Sequence, residues 1–239
     1  MSLCSTLFEQ SASTNTQKRE QITYKTEYEL LERYGAIALD KQTNLGEIIG
    51  GNNWNIDINA GEISFGTNLV FPIQVLGTFS HSSETWLWSW ANTKSGFPEN
   101  TTQQAQQLRK YWEENEIDLL RNSEFEATKN ILHLIGLITS GMFNSSGYYI
   151  ADYGQGAMVV TIKSDKVDKI RKDNHYRILT VFPQLISQFE INHNLALTNY
   201  LTDEGYSISE NGTKLTAMKN GQIITAEFDE QSRLTKLTG

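Results

Sequence analysis

The sequence predicts an α+β fold: a largely antiparallel sheet of hairpins packed against three to five helices. Three observations carry that expectation. Short runs of alternating apolar and polar residues are punctuated by two-residue turn signals, the clearest being Asn211-Gly212 and Asn220-Gly221. Other runs carry apolar residues at helical spacing, as over Leu30 to Ala38 and Ile131 to Met142. The order is helix, four strands, two helices, two or three strands, helix, and three or four strands. This has no regular strand–helix–strand rhythm, so a parallel sheet is not expected.

Residues 1–22 are polar and aperiodic and read as a mobile tail, with a single α+β domain over 23–239. The charged segment at 164–173 is the one place for a sub-boundary. Thr26 and Glu29 form a capping box, and Leu30, Leu31, Tyr34, Ile37 and Ala38 mark a helix expected to end before Thr43. Trp54, Ile56 and Ile58 alternate with polar residues, Asn59-Ala60-Gly61 supplies a turn, and Ile63 and Phe65 resume the alternation. Leu69–Ser80 reads as a long strand whose Pro72 marks a start or an edge. After the turn His81-Ser82-Ser83-Glu84, a fourth strand is expected over Thr85–Ala91.

Asn100 is placed to cap a helix carrying Ala105, Leu108 and Trp112. Ser123 and Glu126 form a second capping box, and behind it Phe125, Ile131, Leu132, Ile135, Ile138 and Met142 mark an apolar helix over about 125–143. A hairpin crosses Gly154-Gln155-Gly156. Tyr176–Phe182 fits a short strand or a helix. Pro183 favours the strand, because it disfavours a helical Phe182 and suits the first position of a helix running to about Asp203. The last 35 residues are hairpin material.

Composition narrows the function classes. Asp and Glu number 28 against 20 Lys and Arg, a net charge of −8, with no strong basic patch. No nucleic-acid partner is therefore expected. Lys163, Lys166, Lys169, Arg171 and Lys172 form the most basic stretch, interrupted by Asp165 and Asp168. No apolar run approaches a membrane span, and no secretory signal opens the chain. The lone cysteine, Cys4, excludes a disulfide scaffold and lacks the fixed histidine that a catalytic thiol requires. His81, His133, His175 and His193 show no metal-ligand spacing, so no metal is expected. His133, within the apolar helix, reads as a hydrogen-bonded core or boundary histidine, and His193, beside Asn192 and Asn194, as a capping or surface residue. The sequence contains no phosphate-cradling loop, nucleophile elbow or dinucleotide fingerprint, so no cofactor and no catalytic residue are assigned. Glu113, Glu114, Glu116 and Asp118 read as a solvated helix end.

The most conspicuous feature is Trp86, Trp88 and Trp90. Period-two spacing places the three indoles on one face of the fourth strand. There they form either core beneath the helices or an aromatic platform for a sugar or nucleotide. On the platform reading, Trp86, Trp88, Trp90, Glu84 and Asn92 bind the ligand, with His81 also at a strand end. Glu84 or Asp152 would supply acid–base chemistry. Burial of the indoles decides between the two readings.

The run Leu76-Gly77-Thr78-Phe79-Ser80 followed by Thr85-Trp86-Leu87-Trp88-Ser89-Trp90-Ala91-Asn92 resembles the hallmark of an uncharacterised bacterial family. That family is defined by a domain of unknown function with a W-x-W-x-W-A-N strand. A helix before Gly136, a Tyr-containing strand at Tyr148–Tyr153, and Phe228-Asp229 with Arg233-Leu234 fit its weaker features. The resemblance spans roughly 25–239 and implies a bacterial, cytoplasmic protein with no established activity. The first functional expectation is a non-enzymatic interaction protein with an unidentified protein partner, immunity-like by analogy. The alternative is a small-molecule binding module or hydrolase using the tryptophan face.

Overall fold

The computed structural model describes residues 24–117, 121–169 and 175–239. The expected tail at 1–22, Cys4, Asp118 and residues 170–173 of the 164–173 segment lie outside the described residues. Those described form six α-helices, a seven-stranded sheet and a four-stranded sheet, both antiparallel.

Helix α1 (Glu27–Ile49) begins at Thr26, whose hydroxyl accepts the Glu29 N–H at 3.1 Å, while the Glu29 carboxylate accepts the Lys25 N–H at 2.7 Å. It runs past Thr43, the end expected from sequence. Leu45 and Ile49 carry its buried stripe beyond Leu30, Leu31 and Ala38, and that burial holds the last turns helical.

Strands β1 (Trp54–Asp57), β2 (Glu62–Phe65) and the 12-residue β3 (Leu69–Ser80) follow as antiparallel neighbours. β4 (Thr85–Trp88) and β5 (Glu124–Glu126) extend the sheet from the far half of β3. On the other edge of β3 lies the hairpin of β6 (Gly147–Asp152) and β7 (Gly156–Ile162). A bulge between Val75 and Gly77 breaks the register of β3 against β7. A single extra residue shifts every later side chain to the opposite face. Phe71, Ile73 and Val75 therefore join one core cluster, while Phe79 joins the other.

The bulge also limits β4. Ser89 donates its N–H to Leu76 O at 2.9 Å and its hydroxyl to Val75 O at 2.7 Å. The chain then curls, with Ala91 N–H bonded to Trp88 O at 3.0 Å. The strand thus ends at Trp88, not at Ala91, and Trp90 leaves the row. A second correction concerns Ser123–Glu126, which lies in or beside β5 rather than capping a helix. The helix behind it, α3 (Lys129–Met142), starts after Thr128. Before it, α2 (Gln103–Asn115) starts after Thr102, one short helical turn beyond Asn100.

After the short α4 (Asp165–Asp168), residues 175–188 form helix α5 (His175–Gln188), with Pro183 in its interior. The expected strand at 176–182 is absent there. Ile178, Val181, Phe182 and Leu185 are buried at spacings of three and four. Packing along that stripe outweighs the hydrogen bond that proline removes, whose loss costs about 3 kcal/mol in a free helix. A separate helix, α6 (His193–Asp203), is capped by Asn192, whose side chain accepts the Leu195 N–H at 2.9 Å. The chain closes with β8 (Ser207–Asn211), β9 (Lys214–Lys219), β10 (Gln222–Phe228) and β11 (Leu234–Thr238), in the order β11-β10-β9-β8.

A polar network ties α1 to the C-terminal helices. The Arg177 guanidinium lies 2.5 Å from Asp40 and donates to Asn44 Oδ1 at 2.7 Å. Tyr200 donates its hydroxyl to Asp40 Oδ2 at 2.9 Å. No described helix is long and apolar enough to cross a membrane.

Candidate functional site

The five residues singled out for ligand binding separate. Trp86 and Trp88 are 0% and 1% exposed. Their rings meet edge to face at 5.3 Å, and Phe79 is the cross-strand partner of Trp86. They are core, so neither offers a face to a ligand. Gly77 makes this packing feasible, because a Cβ there would come within 2.4 Å of the Trp86 ring. Trp90 is half-buried beneath the Arg109 guanidinium, 4.4 Å from its centroid. With Asn92 it lines a cavity of about 320 Å³. Asn92 is itself occupied: its side chain accepts the Ser95 N–H at 3.2 Å and donates to Thr78 Oγ1 at 3.3 Å. Glu84, exposed and with φ of 51°, shapes the β3–β4 turn, and its carbonyl accepts the Ala127 N–H at 2.8 Å.

Titratable groups converge elsewhere. A pocket of about 200 Å³ is lined by His81, Lys129, His133 and Asp152 over an apolar floor that includes Leu132 and Ile150. Three parts of the fold build it. The β3–β4 turn supplies His81, held by its N–H to Gln155 O at 3.1 Å. The end of β6 supplies Asp152, and the first turns of α3 supply Lys129 and His133.

Asp152 accepts the Gly154 N–H at 2.8 Å and lies 3.1 Å from His81 Nε2. The Gly154 N–H and then His81 hold its carboxyl below the usual range, so it is ionised at neutral pH. An ionised carboxylate can only accept a hydrogen bond. The proton of a neutral His81 therefore sits on Nε2, and Nδ1 is its basic nitrogen. His133 has the opposite arrangement. Its Nδ1 lies 2.8 Å from Tyr148 Oη. Burial pushes the Tyr148 phenol up, out of the range of ionisation at neutral pH, and pushes the His133 imidazole down. Among the described residues His133 is the hydrogen-bond partner of the buried Tyr148 hydroxyl, and donation to Nδ1 is the arrangement that leaves no buried phenol hydrogen without an acceptor. The remaining nitrogen, Nε2, then carries the hydrogen. Gly136 seats the Tyr148 ring, since a Cβ there would come within 2.4 Å of it.

The pocket thus presents a basic imidazole braced by a carboxylate, a neutral imidazole that donates, and the Lys129 ammonium, whose charge also helps hold the Asp152 carboxyl down. A braced imidazole can exchange protons with a bound molecule. No group of three or more His, Cys, Asp or Glu among the described residues is placed to hold a metal ion.

Sequence reasoning took Asp152 and His81 one at a time and read His133 as a hydrogen-bonded core or boundary histidine, which its Tyr148 contact matches. It missed Lys129 and the convergence of all four. The turn His81–Glu84 facing the turn Tyr153–Gly156 was the signal available, and only strand pairing brings the two together. His193, read as a capping or surface residue, accepts the Leu234 N–H at 2.9 Å and so anchors β11. Asp229 organises a turn by accepting the Arg233 N–H at 2.9 Å.

The fold and pocket define an α+β protein with a small polar pocket at the meeting of two hairpin turns and a helix start. The family of unknown function DUF6882 matches residues 28–165, and the chain belongs to it. That match takes in the seven-stranded sheet and the pocket, but not the Phe228–Leu234 segment. No curated protein and no solved structure matches the chain.

Proposed function

We propose that the protein binds a small organic acid in the pocket of His81, Lys129, His133 and Asp152. The observation that carries this reading is the pairing of two imidazoles with complementary hydrogen-bonding character in one cavity of about 200 Å³. The volume is below the roughly 300–1,000 Å³ of pockets for drug-sized ligands, so a small ligand suits it. Lys129 supplies a cation for a carboxylate, and His133 a neutral donor. This relocates the small-molecule reading from the tryptophan face to the opposed turns.

The test is a titration of protein labelled in its histidine rings with a panel of short carboxylic and oxo acids. The expected result is saturable movement of the His81 and His133 resonances, with those of His175 and His193 still. A panel that moves neither pocket histidine overturns the reading.

A second reading is favoured by one surface feature. Met218 and Ile223 are cross-strand partners on the outer face of the four-stranded sheet, 51% and 48% exposed. An adjacent exposed apolar pair suits a protein contact. On this reading the chain is a cytoplasmic, bacterial interaction protein, immunity-like by analogy. Reproducible capture of one partner by wild type, lost in Met218→Lys, supports it. Capture unchanged in that variant removes it.

A further inference from the structure

We propose that the pocket goes beyond binding and enolises a small 2-oxo acid, with His81 as the base, His133 as the donor to the ketone oxygen and Lys129 as the carboxylate anchor. The inference rests on the reading of this cavity as an organic-acid site. It adds a chemical step.

The roles follow from the hydrogen-bond inventory. A base needs a bare nitrogen and a group that stabilises the imidazolium once formed. His81 has both, because its Nε2–H is held by Asp152 at 3.1 Å. The developing oxyanion needs a donor that will not simply surrender its proton. His133 is neutral, and the Tyr148 hydroxyl at 2.8 Å fixes its tautomer. A neutral imidazole used this way polarises a carbonyl while the base works on the adjacent carbon. Lys129 is the anchor because it is the pocket's cation and its first-turn position on α3 sets it one helical turn from His133. The apolar floor at Leu132 and Ile150 suits a short alkyl chain.

The step balances without an oxidant or reductant. A C–H bond beside the ketone breaks, and its proton passes to His81 Nδ1. The electron pair becomes the C=C bond of the enolate as the C=O bond becomes C–O⁻, which accepts the His133 N–H. Return of a proton from His81 restores the oxo acid, so in heavy water the carbon acquires deuterium.

The experiment uses the full chain with 2-oxobutanoate in heavy water, following loss of the C3 proton signal by NMR, with binding measured in parallel through the histidine resonances. The expected result is exchange at least about a hundredfold above buffer, the lower range for positioned acid–base catalysis. His81→Gln abolishes the acceleration while 2-oxobutanoate still shifts His133, and Lys129→Met weakens binding. Thermal unfolding of both variants should match wild type, since both positions are partly or fully exposed. If a variant fails to fold, His81→Asn and Lys129→Gln replace it. Saturable binding with exchange no faster than buffer overturns the enolisation and leaves the binding reading standing. Absence of binding overturns both. Exchange that survives in His81→Gln overturns the assignment of the base.

Discussion

The two sheets use the same antiparallel pairing to different ends. In the seven-stranded sheet, β7 is buried at six of its seven residues, covered on both faces. In the four-stranded sheet, β9 and β10 bury Leu215, Ala217, Ile224, Ala226 and Phe228 on one face and leave the other to solvent. A sheet covered on both sides can carry a bulge and switch cores, and the turns at its end border the pocket. A sheet with one wet face is limited to alternation. The first sheet therefore carries the candidate chemistry, while the second offers a surface.

The comparison can be broken most directly at the tryptophans. Trp86→Ala should cost about 3–5 kcal/mol in urea unfolding, because it empties a fully buried site in the first sheet. Phe228→Ala, on the second sheet but in the same core cluster as Trp86, should cost less, and equal losses would erase the distinction between the two sheets. Next comes the tie between the regions. Asp40→Ala leaves the buried Arg177 guanidinium without its carboxylate and should cost about 3 kcal/mol. Both halves should still unfold in one transition. Two separated transitions by far-UV circular dichroism and tryptophan fluorescence would show that this network alone couples them.

A smaller loss is expected at the close approach beneath Trp86. Gly77→Ala should cost about 1–3 kcal/mol as the indole is forced from its seat. A silent Gly77→Ala in thermal unfolding would mean that the bulge, not the glycine, sets this packing.

A pH effect follows from the histidines of each region. Burial holds His133, beside the first sheet, and His193, against the second, below their ordinary value of 6.5. A histidine whose folded pKa is depressed leaves the unfolded chain binding more protons as pH falls through that value. Stability is full above it and declines below it. Urea midpoints at pH 7.5 and 5.5 should differ less in His133→Gln than in wild type, and an unchanged difference would exclude His133 as a contributor. The smallest effect belongs to the wet face: Met218→Ser should change stability by no more than about 0.5 kcal/mol.

Much of this was legible because it is local. The Thr26 cap, the β1–β2 turn, the Gly154–Gly156 hairpin and the Asn-Gly turns depend on residues a few positions apart, and each lies where its sequence places it. Composition and periodicity were enough to set the fold class. What eluded the sequence was decided across the chain. Period-two spacing put Trp90 beside Trp86 and Trp88, but Ser89 bonds into the β3 bulge and ends the strand. Pro183 argued against a helix, but a buried stripe on α5 outweighs one missing hydrogen bond. The pocket joins His81 to Asp152, which is 71 positions away. The sequence by itself determined the fold class, the first helix cap and the hairpin turns of this protein, because those arise from neighbouring residues. Tertiary structure alone decided which tryptophans are core and which acids and bases meet, because burial and strand pairing are properties of the assembled sheet.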